Sequence, residues 1–328
     1  MKLVTFAEDG GEPRFGVLRG EQVFDMQAAA ERTPDCSASM LDFMRGGDAA
    51  REVAQSLLAD VPDDQLIPAD RVSLLAPLPR PESIRDAMSF ERHVVQATRT
   101  AGLGKLADLD AAIERRVGMR RSFAGRLNRE FYVRPPHYRS NERAVVGPEA
   151  EVRIPSYCKK FDYELEWGVF IGKEGRDIPA ERAREHIAGY TIFNDFSARD
   201  IQLEEMRNRL GPAKGKNFDS GNAMGPCLVT PDELGDPYDL TMTARVNGEE
   251  WSRANTGEAH WRFEQLIAYI SQDETLYPGD FIGSGTASGE NGMGCGLEQG
   301  RFLSAGDVVE LEVEGIGVLR NRVVGNGA

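Results

Sequence analysis

Acidic side chains alternate with apolar ones in the stretch FDYELEWGVFIG, residues 161–172. Aromatic and β-branched residues such as Trp167 and Val169 favour a strand, and side chains two apart on a strand lie on one face. Glu164 and Glu166 are therefore predicted to stand side by side, where their charges repel each other unless a cation lies between them. A divalent metal site is one interpretation of this pattern, and the solvated face of an antiparallel sheet is the other.

Two further carboxylates occur at apparent strand ends and could complete such a site. Asp195 follows the strand-like GYTIFN, and Asp86 lies in IRDAMSF. Hard cations such as Mg²⁺, Mn²⁺ and Ca²⁺ bind several carboxylate oxygens together with waters, whereas zinc prefers histidine and cysteine, which do not cluster in these segments. An Asn-Asp pair at a strand end is also typical of a turn or a helix cap. These residues predict oxygen ligands without selecting one ion.

The segments that would position these carboxylates are predicted to be mostly strands, because β-branched and aromatic residues alternate between Gly-rich turns. Few helices are predicted beside them, and this balance is typical of a β-rich α+β domain closed into a roll or sandwich. The main predicted helices of this part are residues 179–188 and 260–272. The predicted strands are residues 143–155, 161–173, 187–195, 224–230, 239–250, 278–285 and 307–325.

The stretch LLAPLPRPES contains three prolines in seven residues and predicts a domain boundary near residue 76. Residues 1–75 are then a small N-terminal α/β domain, and residues 76–328 are the catalytic domain. Residues 101–130 are charged and predicted to be helical, and we expect this insertion to act as a lid over the site.

The composition excludes several classes of partner. The chain has 328 residues, of which 41% are hydrophobic, and this is enough for a substantial core. Its net charge of −14 argues against nucleic acid or an anionic membrane as a partner. No apolar run approaches the roughly 20 residues of a membrane helix, the first residues do not resemble a signal peptide, and the four cysteines are scattered. We expect a cytoplasmic protein that binds a small molecule.

Several motifs, in this order and spacing, resemble the fumarylacetoacetate hydrolase (FAH) family. They are DYELE, GYTIFNDFSARDIQ, GPAKGKNFD, GDFIGSGTASG and CGLEQGRFLSAGD, and the resemblance covers about residues 80–325. It implies an FAH-type mixed β-sandwich roll, preceded by the small N-terminal domain that some members carry. It also implies a homodimer, and a divalent ion, Mg²⁺ or else Mn²⁺ or Ca²⁺, bound by Glu164, Glu166, Asp195 and Asp86.

The resemblance further implies a catalytic pair and a catalytic lysine. His93 follows Asp86 by seven residues, as the catalytic histidine of the family does, and Glu298 occupies the position of its partner carboxylate. A histidine whose pKa is about 6.5 can take a proton from water, and a carboxylate behind it fixes its tautomer. Lys216 matches the family's lysine, although Lys214 is a near competitor. A lone helical histidine is otherwise most often a surface residue.

The same resemblance implies that Arg199, Gln202, Thr286 and Tyr138 bind the substrate. If the segment after Asp195 is helical, Asp195, Arg199 and Gln202 share one helix face. That spacing would equally suit an ordinary salt bridge between Asp195 and Arg199. Thr286 lies in a Gly-rich turn, and Tyr138 is as compatible with buried packing as with a pocket.

Two departures from the founding enzymes concern the wall of the substrate pocket. Met88 stands where those enzymes have tyrosine, and Gly102 stands where they have arginine, for which Arg99 is a candidate replacement. Fumarylacetoacetate itself is therefore not the expected substrate.

The predicted function is hydrolysis of a carbon–carbon bond in a β-diketone or acylpyruvate-type keto acid. His93 and Glu298 would activate the water, and the metal would stabilise the enolate that leaves. Two alternatives remain open: decarboxylation of oxaloacetate or tautomerisation of an unsaturated keto acid on the same scaffold, and a non-catalytic protein that binds a metal or ligand.

Overall fold

The computed structural model describes residues 1–8, 10–31, 33, 36–62, 65–208, 211–289 and 292–325. The strands, numbered along the chain, are β1 (Lys2–Glu8), β2 (Arg14–Arg19), β3 (Gln22–Asp25), β4 (Leu66–Pro68), β5 (Val72–Leu74), β6 (Ser83–Ala87), β7 (His137–Ser140), β8 (Val145–Val146), β9 (Glu151–Arg153), β10 (Phe161–Asp162), β11 (Glu166–Ile171), β12 (Ile187–Asp195), β13 (Ser197–Ala198), β14 (Asn222–Val229), β15 (Thr241–Val246), β16 (Glu249–Asn255), β17 (Asp280–Gly283), β18 (Val308–Val313) and β19 (Gly317–Val324).

The α-helices are short, and the longest of them is interrupted at Gly47, whose φ of 55° breaks the helical backbone. In chain order they are α1 (Met26–Ala30), α2 (Met40–Ala59), α3 (Glu91–Thr98), α4 (Ala107–Val117), α5 (Phe123–Leu127), α6 (Arg199–Arg207), α7 (Pro231–Leu234), α8 (Phe263–Ile270) and α9 (Gly296–Gln299).

The described strands form a large sheet, a five-stranded sheet and the two-stranded pair β10-β13. The two larger sheets share a hydrophobic core. The large sheet has the order β4-β3-β2-β1-β14-β12-β11-β17-β6-β7, and the smaller one has the order β16-β15-β18-β19-β9. The core contains Trp167 and Val169 of β11 together with Met242 of β15 and Leu311 of β18. On β18, buried Val309 and Leu311 alternate with half-buried glutamates, as expected where one face of a sheet is wetted. The predicted mixed, β-rich sandwich is confirmed.

The central strand β11 is buried on both of its faces. Phe170 packs in a second hydrophobic cluster with Phe193 and Phe281 of neighbouring strands and with Phe43 of α2. The N-terminal strands continue the large sheet, because β1 pairs with β14 in the register Lys2↔Val229. The division of the chain near residue 76 stays a prediction.

Three local predictions are wrong. The predicted strand 161–173 is broken between β10 and β11, so that its glutamates do not lie on one continuous strand. The predicted helix at 179–188 is a 3₁₀ segment, Ala180–His186. The segment after Asp195 is not helical at first, because β13 pairs with β10 before α6 begins at Arg199. In the last case tertiary strand pairing overrides local helix propensity.

Candidate metal centre and active site

Four buried carboxylates converge at one end of the central strands. Asp86 on β6, Glu166 on β11 and Asp195 on β12 are joined by Glu164, which lies just before β11. One carboxylate oxygen from each of the four lies within 4.8 Å of the others. The antiparallel register brings the start of β11 beside the end of β12, as the pair Glu166↔Phe193 shows.

A glycine on the intervening strand leaves room for this convergence. Strand β17 lies between β11 and β6, and its Gly283 pairs with Gly168 on one side and with Asp86 on the other. A Cβ atom at Gly283 would lie 2.4 Å from Oδ1 of Asp86. Because no side chain projects from position 283, the carboxylate of Asp86 can reach across β17 toward Glu166.

The cluster contains oxygens without hydrogen-bond donors. Both carboxylate oxygens of Glu166 and Oδ1 of Asp195 are buried and have no hydrogen-bond partner within the described parts of the chain. Burial and the charge of Asp195 raise the pKa of Asp86 well above its usual range, and burial and the charge of Asp86 do the same to the pKa of Glu166. Burial also raises the pKa of Asp195, to about 6. Ionising these groups together requires additional positive charge.

Lys216 and Arg199 supply part of that charge. The ammonium of Lys216 donates to Oε2 of Glu164 at 2.5 Å and to the carboxylate of Asp195, and Arg199 Nη1 lies 2.8 Å from Oε1 of Glu164. Burial alone would raise the pKa of Glu164, but these two cations outweigh it, and the pKa is lowered. No cation among the described residues forms an ion pair with Asp86 or Glu166, and the four carboxylates together therefore fit a divalent cation with oxygen ligands.

Tyr138 approaches the cluster from the neighbouring strand. It lies opposite Asp86 in the pairing of β6 with β7, and its hydroxyl donates a hydrogen bond to Oδ2 of Asp195. Burial, followed by the charge of Asp195, raises the pKa of the Tyr138 phenol well above its usual range. The phenol is thus a neutral donor at the edge of the carboxylate cluster.

His93 and Glu298 form a buried pair beside the cluster. Nδ1 of His93, on α3, lies 3.0 Å from Oε1 of Glu298, on α9. Glu298 also accepts hydrogen bonds from the Ser288 hydroxyl, at 2.8 Å to Oε2, and from the backbone N–H of Gly294 at 2.6 Å. These donors orient the carboxylate, and the carboxylate in turn orients the imidazole. The arrangement is that of a base held by a carboxylate.

Asp162 connects the two halves of the site, and sequence reasoning did not assign it this role. Its carboxylate accepts from the backbone N–H groups of Gly296 and Leu297 at the start of α9 and from Nε of Arg199 at 2.7 Å. The helix that carries Glu298 and the arginine that contacts Glu164 are therefore held by one buried group. The signal was present in the alternating acids of residues 161–172, but their spacing did not show that Asp162 binds the N–H groups of α9 instead of joining the four clustered carboxylates.

The other residues predicted to bind substrate contact protein groups or are buried. Gln202 accepts a hydrogen bond from Nη1 of Arg199 at 3.0 Å, and Thr286 is buried in the segment that follows β17. Arg199 forms its ion pairs with Asp162 and Glu164. The alternative of a salt bridge with Asp195 is not realised, because β13 separates Asp195 from α6. The substrate roles of Arg199, Gln202, Thr286 and Tyr138 stay predictions.

The insertion at 101–130 contains α4 and α5 and is joined to α3 by a buried ion pair. Arg99 donates to Oδ2 of Asp110 at 2.9 Å and also contacts Glu114. Asp110 in addition accepts from the backbone N–H groups of Phe123 and Ala124, at the start of α5. Arg99 is thus paired with carboxylates of the insertion, and its role as a replacement for the arginine of the founding enzymes stays a prediction. That the insertion acts as a lid stays a prediction.

The site as a whole is enclosed. His93 is 7% exposed, Lys216 and Arg199 are 2% exposed, and Glu166 and Asp195 are fully buried. In such surroundings charge–charge interactions are stronger than in water, and a bound substrate is separated from bulk solvent. Lys216 and Arg199 are the cations of this enclosed site, and both are paired with its carboxylates.

This combination of mixed sandwich, carboxylate cluster and His–Glu pair agrees with the comparisons to known proteins. Residues 115–324 match the family described as Fumarylacetoacetate (FAA) hydrolase C-terminal. Relatives that align over nearly the full chain are more than 30% identical to it. The chain belongs to the fumarylacetoacetate hydrolase family.

Within that family, the chain is similar to proteins named for different reactions. Oxaloacetate tautomerase Fahd2a, mitochondrial, from Rattus norvegicus is 34% identical over 328 residues, which cover 99% of this chain and 92% of that protein. Its counterpart fahd2 from Xenopus laevis is 32% identical and covers 99% and 90%. A putative HpcE protein from Mycobacterium smegmatis has a TM-score of 0.73 and 27% identity, with both chains fully covered.

Fold likeness extends to more distant structures. Maleylpyruvate hydrolase from Sphingobium sp. SYK-6, solved in complex with manganese(II) and pyruvate, has a TM-score of 0.73 at 21% identity over the whole of both chains. This likeness concerns the fold alone. The relatives support an enzyme family, and their names do not single out hydrolysis.

The compartment and the oligomeric state stay predictions. No helix in the described part of the chain is both long and apolar enough to cross a bilayer. The relatives that align over nearly the full chain are named as mitochondrial proteins. Their names do not agree with the cytoplasmic expectation, but they describe the compartment of those proteins and not of this one.

Proposed function

We propose that this protein is a divalent-metal-dependent tautomerase that interconverts the keto and enol forms of oxaloacetate or a closely similar 2-oxo dicarboxylate. The observation that carries the proposal is the His93–Glu298 pair, held at 3.0 Å beside four buried carboxylates. Relatives named oxaloacetate tautomerase that align over nearly the full chain support this choice of substrate.

The reaction moves one proton and needs no second reactant. In the keto form, the carbon between the oxo group and the distal carboxylate bears the proton that His93 would accept. Glu298 keeps the proton of Nδ1 in place, so that the other ring nitrogen is free to act as the base. The same imidazolium would then return the proton to the oxygen of the former oxo group, and the enol results. Such positioned general bases contribute about 10²–10⁴-fold in rate.

The other groups would bind and orient the substrate. Asp86, Glu164, Glu166 and Asp195 would hold the metal, which when bound supplies a Lewis acid for the oxo group. Arg199 and Lys216 offer positive charge for the carboxylates of the substrate, and the phenol of Tyr138 offers a neutral donor. The enclosed site would keep water from the enolate while the proton is transferred.

Hydrolysis of an acylpyruvate is the second candidate. It is favoured by the three hydrogen bonds that fix Glu298 behind His93, because a base oriented in this way can also deprotonate an attacking water. It requires the same metal ligands but also space for a water molecule next to the substrate carbonyl. It is the reaction that the sequence alone favoured.

One experiment separates the candidates. Loss of the ultraviolet absorbance of enol-oxaloacetate is followed with Mg²⁺, with Mn²⁺ and with EDTA, and a panel of acylpyruvates is assayed with the same preparations. The proposal expects metal-dependent acceleration of enol decay that EDTA abolishes, with little cleavage of acylpyruvates. Cleavage of acylpyruvates without enol–keto catalysis would replace the proposal with the hydrolase. Metal binding without either reaction would leave the non-catalytic alternative.

A further inference from the structure

A second group of metal-ligand side chains lies next to the carboxylate cluster. His93, Cys295 and Glu298 are all buried, and one ligand atom from each lies within 4.8 Å of the others. Cys295 is a free cysteine with no exposed surface. The function proposed above uses His93 and Glu298 but gives no role to this thiol.

The backbone places the thiol between the two halves of the site. Cys295 immediately precedes α9, and Glu298 follows three residues later on the same helix. On its other side, Cys295 forms a β-bridge with Glu164, one of the four clustered carboxylates. His93 approaches from α3 and contacts Oε1 of Glu298. Three ligands from two helices therefore converge beside the proposed catalytic metal without being part of its ligand set.

The two ligand groups differ in the ions that they prefer. The four carboxylates offer only hard oxygen ligands, which suit Mg²⁺ and Mn²⁺. The group of His93, Cys295 and Glu298 offers nitrogen, sulfur and oxygen, which suit zinc and softer divalent ions such as cadmium. Three protein ligands with a fourth position open are also the usual set of a non-structural zinc site.

The distances permit binding after a small adjustment. With bonds of about 2.3 Å to sulfur and about 2.0–2.1 Å to nitrogen or oxygen, tetrahedral ligand atoms lie roughly 3.5 Å apart. Separations of up to 4.8 Å would close by about 1.3 Å at most, and the 3.0 Å between Nδ1 of His93 and Oε1 of Glu298 would widen by about 0.5 Å. Side-chain rotation can supply both changes. The Ser288 hydroxyl lies 2.9 Å from Oε1 and 2.8 Å from Oε2 of Glu298. It can keep its bond to Oε2, together with the Gly294 N–H, while Oε1 binds the ion.

We propose that His93, Cys295 and Glu298 form an inhibitory site for zinc and other thiophilic divalent cations. Binding puts the metal in the place of the proton between His93 and Glu298, and Nε2 of His93 carries the proton instead, so that the imidazole stays neutral. The Cys295 thiol becomes a thiolate, and its proton passes to solvent. The ion occupies the pair that would act as base, so the protein loses activity while its carboxylate site keeps Mg²⁺. The inhibitory effect rests on the proposed function, whereas the binding does not.

Cadmium tests the binding directly, because a cadmium–thiolate bond has its own ultraviolet charge-transfer absorption. The full-length protein, saturated with Mg²⁺, is titrated with Cd²⁺ alone. The proposal expects the band to appear and to saturate at stoichiometric cadmium. It should be lost in Cys295→Ser and retained in Cys158→Ser, a matched control at a half-buried cysteine elsewhere. A band that survives Cys295→Ser, or that never forms in the wild type, would overturn the site.

A second variant guards against misfolding. Cys295→Ala replaces a buried cysteine, which packs as a small hydrophobe, with a smaller apolar residue. Both variants are accepted only if their circular dichroism spectra and cooperative melting match the wild type. Loss of the band in the folded Cys295→Ala protein supports the site, and persistence of the band in it contradicts the site.

Inhibition is measured separately by titrating Zn²⁺ into the tautomerase assay at constant, saturating Mg²⁺. Loss of outer-shell partners of a metal typically weakens binding by roughly 10–100-fold, and loss of the direct ligand Cys295 should raise the inhibitory zinc concentration by at least that factor. Equal sensitivity of wild type and Cys295→Ser would overturn the inhibitory role. If no activity is found at all, the cadmium band still decides whether the site exists, so that failure of the function and failure of the site are distinguishable.

Discussion

Within the site, Glu166 is the residue whose negative charge is least compensated by its surroundings. It is fully buried, neither of its oxygens has a hydrogen-bond partner in the described chain, and its pKa is raised well above the usual range by burial and by Asp86. A buried carboxylate in this situation destabilises the folded protein unless a cation compensates it. Glu166 is therefore the most informative position at which to test the metal site.

We predict opposite effects of Glu166→Gln on the metal-free and the metal-loaded protein. Removing the charge relieves repulsion with Asp86, so the metal-free variant should melt at a higher temperature than metal-free wild type. Its affinity for Mn²⁺, measured by calorimetric titration, should fall by about 10–100-fold or more because one ligand is lost. The control is Glu151→Gln on exposed β9, which should change neither quantity. An unchanged Mn²⁺ affinity would remove Glu166 from the metal site.

His93 is the second residue at which the proposal can fail. We predict that His93→Gln lowers kcat of the tautomerase by about 10²–10⁴-fold while KM and Mn²⁺ affinity change little, because the group acts on the proton and not on binding. His137→Gln, at an exposed histidine on β7, is the matched control. If His93→Gln keeps most of its activity, the base lies elsewhere.

At the scale of the elements, strand β17 decides whether the carboxylates can meet. Its Gly283 lies between the strands that carry Glu166 and Asp86, and any side chain there would occupy the space of the Asp86 carboxylate. The geometry of three neighbouring strands thus depends on one missing Cβ atom. Close approach of this kind is one of the established reasons for glycine inside a strand.

We predict that Gly283→Ala weakens metal binding without removing a ligand. The new Cβ atom would stand 2.4 Å from Oδ1 of Asp86 and force that carboxylate away from Glu166. Mn²⁺ affinity should fall, and tautomerase activity at limiting Mn²⁺ should fall with it and recover at high Mn²⁺. Gly102→Ala is the control, since its Cβ would make only ordinary contact with Thr98. Equal affinities in the two variants would show that β17 does not constrain the site.

The insertion is the second element with a testable role. Asp110 is fully buried, pairs with Arg99 just after α3 and caps the start of α5, so it joins the helix of His93 to the two helices of the insertion. The loss of this one carboxylate should therefore loosen the insertion more than the rest of the protein.

We predict that Asp110→Ala reduces the free energy of unfolding by about 1–3 kcal/mol, because Arg99 keeps Glu114 as a partner while the N–H groups of α5 lose theirs. Amide hydrogen exchange should accelerate in residues 107–127 more than in the central strands. If the insertion is a lid, KM should rise or kcat should fall; unchanged kinetics with accelerated exchange would reject the lid.

At the scale of the whole molecule, the buried carboxylates couple stability to pH and metal. Burial raises the folded-state pKa values of Asp86, Glu166 and Asp195, the last to about 6, so protonation stabilises the metal-free fold. The contribution of Asp195 is lost as pH rises from the usual carboxyl range through about 6, and those of Asp86 and Glu166 are lost as pH rises through their own raised pKa values. Glu164 has the opposite sign: its pKa is lowered, and its contribution is present above its ordinary pKa and lost only in acid.

We predict that Mn²⁺ raises the melting temperature more at about pH 7.5 than at about pH 5, because at the lower pH protons compete for the same carboxylates. Differential scanning calorimetry of the full chain with Mn²⁺ and with EDTA measures the difference. In Glu166→Gln, the Mn²⁺-induced shift of the melting temperature should differ less between the two pH values. A metal-induced shift that is equal at both pH values would contradict the raised pKa values of the cluster.

The sequence by itself determined the β-rich class and many of the strands, and its motifs named the carboxylates and the His93–Glu298 pair that the structure brings together. Strand periodicity and turn residues are local features of the sequence. The order of motifs such as DYELE and GYTIFND can also be read from a single sequence. The alternation of Glu164 and Glu166 left a metal site and a solvated sheet face equally open, because the sequence does not show whether the two side chains are buried. The type of helix was less predictable, since the predicted helix at 179–188 is a 3₁₀ segment.

Only the tertiary structure decided how these residues meet. The break before β11, the pairing of β13 with β10 and the side-chain-free position Gly283 depend on contacts between segments that are distant in the chain. They direct Arg199 to Asp162 and Glu164 and bring Cys295 beside His93. No local pattern encodes such long-range pairing, because the energy that selects it comes from burial against partners that the neighbouring residues do not specify.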